Sequence, residues 1–265
     1  MKNLILSTIL FVYVSVQSQN RFKYVLHFKI DSTNRAFVQN EIFNLDYMDG
    51  QSIFYSEALA KLDSVRTAGS SLYKDNVPEP KLDYIVSYDA KTDRLWFKET
   101  IGFSMFLVEE PRKIKWNISS VTDKISGYSA QKAYAEFGGR SWTAWFTTDL
   151  KISEGPYKFK GLPGLVLKVS DRNEDYVFEL TAIQKLEKLY DFKSFEKLGI
   201  KTVRVDFAKY LELKDNFAKN PETVLFQIPG QSQLNIPASE IRVLGEVLKE
   251  RAKKSNNQME LSSRE

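Results

Sequence analysis

From Arg21 the chain reads RFKYVLHFKI, which sets Phe22, Tyr24, Leu26, Phe28 and Ile30 on one face and Lys23, Val25, His27 and Lys29 on the other. Apolar residues at every second position predict a strand with one face in a core and one toward water. The same alternation, or a short apolar run, recurs at 82–89, 94–99, 114–118, 132–137, 141–148, 165–170, 176–185 and 200–207. Two connections have the length and chemistry of hairpin turns: Asp89 to Asp93, and Gly138-Gly139-Arg140, whose glycines accept the positive φ of a tight turn. Short strands joined in succession make an antiparallel meander rather than alternating strand and helix.

Helical periodicity is scarcer. From Ser52, SIFYSEALAKLDSVR brings Phe54, Ala58, Leu62 and Val65 to one helical face with Ser52 as the cap. FAKYLELKDNFAK follows a capping Asp206 and stops at Asn220-Pro221, and Pro237 opens ASEIRVLGEVLKERAKK, striped by Ile241, Leu244 and Leu248. The expected fold is mainly β (α+β): a single curved antiparallel sheet of about nine to twelve strands, a half-barrel or bowl, with two or three helices covering one face. The stretches 69–81 and 221–237 read as excursions from one domain.

The first residues, MKNLILSTILFVYVSVQSQN, carry one cation, an apolar stretch from Leu4 to Val14, and small residues at Val16 and Ser18. That is the shape of a secretory signal cut ahead of Gln19. The expected division is a signal peptide over 1–18, one β-rich domain over 19–254 and a polar C-terminal tail over 255–265 that frays. No further apolar stretch approaches the ~20 residues of a membrane-spanning helix. The expected location is the periplasm, the outer-membrane surface or the medium, and the oligomeric state is left open.

Composition removes several chemistries. With no cysteine there are no disulfides, no thiol nucleophile and no thiolate metal site. The formal charge of +4 falls to +3 when Lys2 leaves with the signal, and acids and bases are interleaved, so nucleic acid is not an expected partner. His27 is the only histidine, too few for a two-histidine zinc site. Asp171, Asn173 and Asp175 have the opening spacing of a calcium loop, but Tyr176 stands where glycine is needed and Ala182 where the closing glutamate belongs. Glu109-Glu110 beside Pro111 reads as a strand end. No cofactor or metal is expected.

One stretch is distinctive: GLPGLVLK at 161–168. Proline presets φ at the first central position of a turn and glycine accepts positive φ at the second, so Leu162-Pro163-Gly164-Leu165 predicts a type II turn feeding a strand. A phosphate-binding loop would need Lys-Ser/Thr after the second glycine or three spaced glycines opening a helix, and neither is present. The wider stretch SEGPYKFKGLPGLVLKVSD, including Gly155, Pro156, Gly161 and Leu165, closely resembles the signature of the GLPGLI family. WNI at 116–118, ISGYSAQKAYAEFGGRSWTAWFTTDLKISEGP from Ile125, and SIFYSEALAKLDS extend the resemblance over most of the chain after its signal. The resemblance implies an exported protein of a Gram-negative phylum, encoded near outer-membrane transport receptors, with no catalytic residue set attached. Val166 replaces the isoleucine of the family name, and Ala130 stands where many relatives have cysteine.

Aromatic residues concentrate around the motif: Trp96, Trp116, Trp142, Trp145, Tyr157 and Phe159. Trp142 and Trp145, three apart in a strand, face opposite sides of the sheet. Arg140, Trp142, Trp145 and Tyr157 are therefore candidate ligand contacts, with Gly139 and Lys158 adding polar groups. The leading functional expectation is a non-enzymatic envelope protein that binds an apolar small molecule in its bowl or assists an outer-membrane protein. The second is a carbohydrate-binding or adhesion module, since bowl-like amino-terminal domains of some secreted glycan-cleaving enzymes are loosely similar. The third is a hydrolase with two carboxylates across a cleft.

Overall fold

The computed structural model describes residues 19–69, 77–102, 104–197, 202–219, 243, 245–250 and 254–261. The signal segment, the stretch 221–237 and most of the helix expected after Pro237 lie outside the described residues, although 245–250 are helical.

Strand β1 (Asn20–Phe28) follows the alternation of its sequence, with Phe22, Tyr24, Leu26 and Phe28 fully buried. From it a meander runs through β2 (Gln39–Met48), β3 (Gln51–Ser56), β4 (Ile85–Asp89), β5 (Arg94–Ile101) and β6 (Ser104–Glu109), each strand antiparallel to the next. A second meander comprises β7 (Asn117–Ile125), β8 (Tyr128–Phe137), β9 (Arg140–Thr147), β10 (Leu165–Asp171) and β11 (Tyr176–Lys185). The pairing of β1 with β11 joins the two into one 12-stranded sheet, ordered β12-β6-β5-β4-β3-β2-β1-β11-β10-β9-β8-β7. The short β12 (Thr202–Val205) lies parallel to β6 at the sheet's edge. The fold is mainly β, an open curved sheet with few helices.

Departures from the expected elements have local causes. β2 and β3 were not expected as strands because they are covered on both sides, which erases alternation. Helix α1 (Glu57–Ala68) packs over their outer face through Leu59 and Ala60, in a cluster with Tyr55, Ile85 and Phe192. The helix therefore starts four residues later than Ser52: SIFYS is strand, and the cap is Ser56, whose Oγ accepts from the Leu59 N–H at 3.3 Å. Gly69 closes the helix in the left-handed region. IKWNI becomes strand only at Asn117, and β6, a run with buried residues on both faces, was also missed. The Asp206 cap does form, its carboxylate accepting from the Lys209 N–H at 2.7 Å ahead of α2 (Phe207–Lys219). Both expected hairpins form, the second with Gly138 and Gly139 at φ 60 and 74.

The core lies on the concave side, and much of it is supplied by the connection between β9 and β10. Phe159 is fully buried there, with ring centroids 4.4 Å from Trp142 and 6.2 Å from Phe178. The Tyr24 hydroxyl donates to the Val166 carbonyl at 2.7 Å from the opposite meander. Within the expected tail, residues 257–261 pack against the sheet. Met259 is 1% exposed, the Asn257 N–H donates to the Ile30 carbonyl at 3.0 Å, and the Leu261 N–H to the Gly138 carbonyl at 2.7 Å.

Candidate functional site

The 150–164 connection is stabilised by its own turns. The Phe159 N–H donates to the Pro156 carbonyl at 3.0 Å, the Ser153 hydroxyl to the Leu162 carbonyl at 2.6 Å, and the Val166 N–H to the Glu154 carbonyl at 2.9 Å. Tyr157 takes φ 55, a conformation costly for a residue with a side chain, at the head of the first turn. The expected type II turn at Leu162-Pro163-Gly164-Leu165 does not form. Pro163 instead centres a three-residue turn in which the Gly164 N–H donates to the Leu162 carbonyl at 2.8 Å, and Gly161 rather than Gly164 carries the positive φ. Gly164 is needed for proximity: a Cβ there would lie 2.0 Å from the Thr147 carbonyl oxygen. Gly155 has the same role against Phe159.

Between this connection, the β4–β5 hairpin and the segment after β6 lies a cleft of about 330 Å³. Its inner wall carries a buried ionic cluster. Lys158 Nζ donates to Glu110 Oε2 and to Glu260 Oε1, both at 2.7 Å. Arg112 donates to Glu110 Oε1 at 2.7 Å and Oε2 at 2.8 Å, and to Glu260 Oε2 at 2.6 Å, while its guanidinium sits between the Phe137 and Phe207 rings. The Tyr157 hydroxyl also donates to Glu260. Burial opposes ionisation of both glutamates, but Lys158 and Arg112 outweigh it: Glu110 is held below its ordinary range and Glu260 at about 2.

The opposite wall behaves differently. Glu154 is buried, with the Ser52 hydroxyl donating to it at 3.2 Å and Lys160 Nζ at 3.4 Å. Desolvation raises the Glu154 carboxyl, with Lys160 only partly offsetting it, and desolvation likewise lowers the Lys160 ammonium, which lies over the Tyr88 ring. Both oxygens of Glu110 are consumed by cations, so it serves as anchor. Glu154 is the carboxyl of this cleft that burial holds above its ordinary range, which makes it the cleft's candidate for proton exchange.

The sequence candidates are distributed among three places. Tyr157 stands at the cleft's ionic cluster. Arg140 is buried at the sheet rim, donating to Asp171 at 3.0 Å, Asn257 Oδ1 at 2.7 Å and the Gln258 and Met259 carbonyls at 2.6 and 3.1 Å. Trp142 is inside, its indole N–H donating to the Phe137 carbonyl at 2.9 Å, and Trp145 is half-buried on the outer face. His27 is on the outer face beside Asn40, at 2.7 Å. Asp171 and Asp175, read above as a failed calcium spacing, face Arg140, with Arg35 on Asp175 at 3.0 Å. Sequence reasoning passed over Glu154, Lys160, Arg112 and Glu260. Glu154 and Lys160 sit inside the signature stretch, where charged residues alternate with aromatics and glycines, and that alternation was the available signal.

A family model described as "N-glycanase peptide, N-terminal domain" matches residues 107–210, which include Glu110, Arg112, Glu154, Lys158 and Lys160. No curated relative matches the chain. Two solved structures titled as PNGF-II are similar in fold. The one in space group C2 has 18% identity and a TM-score of 0.52, covering 74% of this chain and 32% of that one; the one in P21 has 17% identity and a TM-score of 0.51, covering 74% and 33%. The chain thus spans about a third of the length of those structures. These matches overturn the expectation of a non-enzymatic protein serving an apolar ligand or an outer-membrane partner. On the concave face, the bowl that reading needed is occupied by the chain's own 150–164 segment, and the remaining cleft sets Glu110, Arg112, Glu154, Lys158 and Lys160 among Tyr47, Tyr88, Leu95, Ile114 and Phe137.

Proposed function

We propose that this chain acts in the processing of N-linked glycans, as a domain of an N-glycanase-type activity whose cleft receives part of the glycan-bearing substrate. The observation that carries the reading is that the matched span 107–210 contains Glu110, Arg112, Glu154, Lys158 and Lys160, most of the charged residues that line the cleft. In it, Glu154 donates or withdraws a proton at a polar group of the substrate, and Lys160 and Ser52 orient it. Glu110, Arg112, Lys158 and Glu260 hold the facing wall rigid.

The chain is further inferred to be exported, with 1–18 removed as a signal peptide, consistent with the leader's charge and length, and to be of the GLPGLI type, which rests on the stretch 153–171. No helix among the described residues is long and apolar enough to cross a membrane. The test uses a labelled N-glycosylated peptide and the same peptide without its glycan. Calorimetry measures affinity and mass spectrometry detects released glycan. Preference for the glycosylated form, with or without release, supports the reading, and Glu154→Gln should abolish any release while leaving the fold intact. Equal affinity for both peptides with no release overturns it.

A further inference from the structure

The outer face of β8, β9 and β10 carries an aromatic pair that the fold does not explain. Cross-strand register sets Lys132, Trp145 and Lys168 in one row and Tyr134, Thr143 and Ser170 in the next. Tyr134 is 41% exposed, Trp145 is half-buried, and Lys132 Nζ lies 5.3 Å from the first ring centroid and 5.4 Å from the second. The two rings thus stand side by side along a shallow groove of about 530 Å³. The indole N–H groups of Trp116 and Trp142 are committed to backbone carbonyls. For Trp145 no such acceptor occurs among the described residues.

The chemistry around the rings selects the occupant. Lys168 is paired with Glu179 at 2.6 Å, and Lys132 and Arg172 are matched in the groove by Glu136 and Glu174, while Asp171 is buried against Arg140. A nucleic acid or an acidic peptide needs a net cationic surface, which this is not. An apolar ligand needs an apolar floor, and Thr143 and Ser170 supply hydroxyls there instead. A pyranose ring fits both requirements: its C–H face stacks on an aromatic ring, and its hydroxyls accept hydrogen bonds from lysine and arginine and donate them to glutamate at the rim.

We propose that the outer face of β8–β10 is a binding platform for an uncharged oligosaccharide, centred on Trp145 and Tyr134 and separate from the cleft. The platform rests on the N-glycan reading and extends it, since it would hold the glycan outside the cleft where the cleft engages the rest of the substrate. The experiment is calorimetric titration of the full chain with a released, uncharged oligomannose N-glycan, repeated with Trp145→Ala, Tyr134→Ala and Trp145→Phe. Trp145→Ala should weaken binding by about tenfold or more, Tyr134→Ala by less, and Trp145→Phe should keep most of it. Raising salt should change the affinity little, because no net charge is neutralised. Should Trp145→Ala fail to fold, the more exposed Tyr134→Ala carries the test alone. Glycan bound equally well by wild type and both alanine variants refutes the platform while leaving the N-glycan reading standing. No binding of the free glycan by the wild type overturns the platform, with the N-glycan reading then decided by the glycopeptide titration, and salt-sensitive binding with preference for a sulfated or sialylated glycan overturns the neutral occupant.

Discussion

Replacing Lys158 by methionine removes one charge from a cluster that is almost wholly buried behind the cleft. The side chains of Lys158, Glu110 and Glu260 are 3%, 1% and 9% exposed, so neither glutamate can recover the lost interaction from solvent. Methionine fills the volume of the lysine stem, which keeps a cavity from contributing. Loss of one partner in a buried ionic group costs about 3–5 kcal/mol. With a urea m-value of about 2–3 kcal/mol/M, the denaturation midpoint should fall by about 1–2 M at unchanged m. Adding Glu260→Gln leaves Glu110 and Arg112 as a balanced pair and should restore part of the loss, a coupling of about 1–3 kcal/mol.

Acid supplies a second reading of the same cluster. Glu260 is held at about 2 against an ordinary 4.5, a depressed carboxyl. Its stabilisation is present above 4.5 and is lost as pH falls through 2, so the gap between wild type and Lys158→Met should narrow across that window. The shift is equivalent to about 3 kcal/mol, the same order as the mutational cost. A Lys158→Met midpoint within about 0.2 M of wild type, or a double variant less stable than the single, would refute the argument.

Three further outcomes concern the β9–β10 connection, the sheet rim and the helix cap. Gly164→Ala places a Cβ 2.0 Å from the Thr147 carbonyl oxygen, a backbone atom fixed by the β9–β10 pairing, and should cost about 3 kcal/mol or more; thermal melting checks it. Arg140→Met removes the donors that hold the Asn257 to Met259 segment, and hydrogen exchange should show residues 256–261 losing protection while β1 keeps its own. Ser56→Ala takes away the acceptor for the Leu59 N–H and the donor to Glu41, at a cost of about 1–2 kcal/mol by urea denaturation; no change would mean that Glu41 recruits water in its place.

Legibility in the sequence tracked solvent. Strands with one wet face, such as β1, announced themselves by alternation, as did the Gly138-Gly139 hairpin and the opposed faces of Trp142 and Trp145. Strands β2, β3 and β6, dry on both sides for part of their length, looked like helix starts or like nothing. The cleft was illegible for another reason. Glu110, Lys158 and Glu260 meet across separations of 48 and 102 residues, and no local pattern encodes a contact made by a sheet closing on its own connection. Gly164 was correctly singled out for the wrong cause: the sequence shows that a side chain is forbidden there, and only the fold shows that a carbonyl forbids it.

The place of β1 in the sheet has a kinetic consequence. Each meander pairs neighbours along the chain, so its strands meet at short loop-closure cost. Their junction is different: the contact of the Thr181 hydroxyl with the Lys23 carbonyl spans 158 residues. The chain's slow step is then the zipping of β1 to β11, and until it happens two long strands present unpaired edges beside an uncovered aromatic face. A chain that emerges from its amino end must keep β1 from pairing with strangers until the tenth strand after it has arrived, which makes the interval before closure, and not the finished fold, its time of greatest exposure to aggregation.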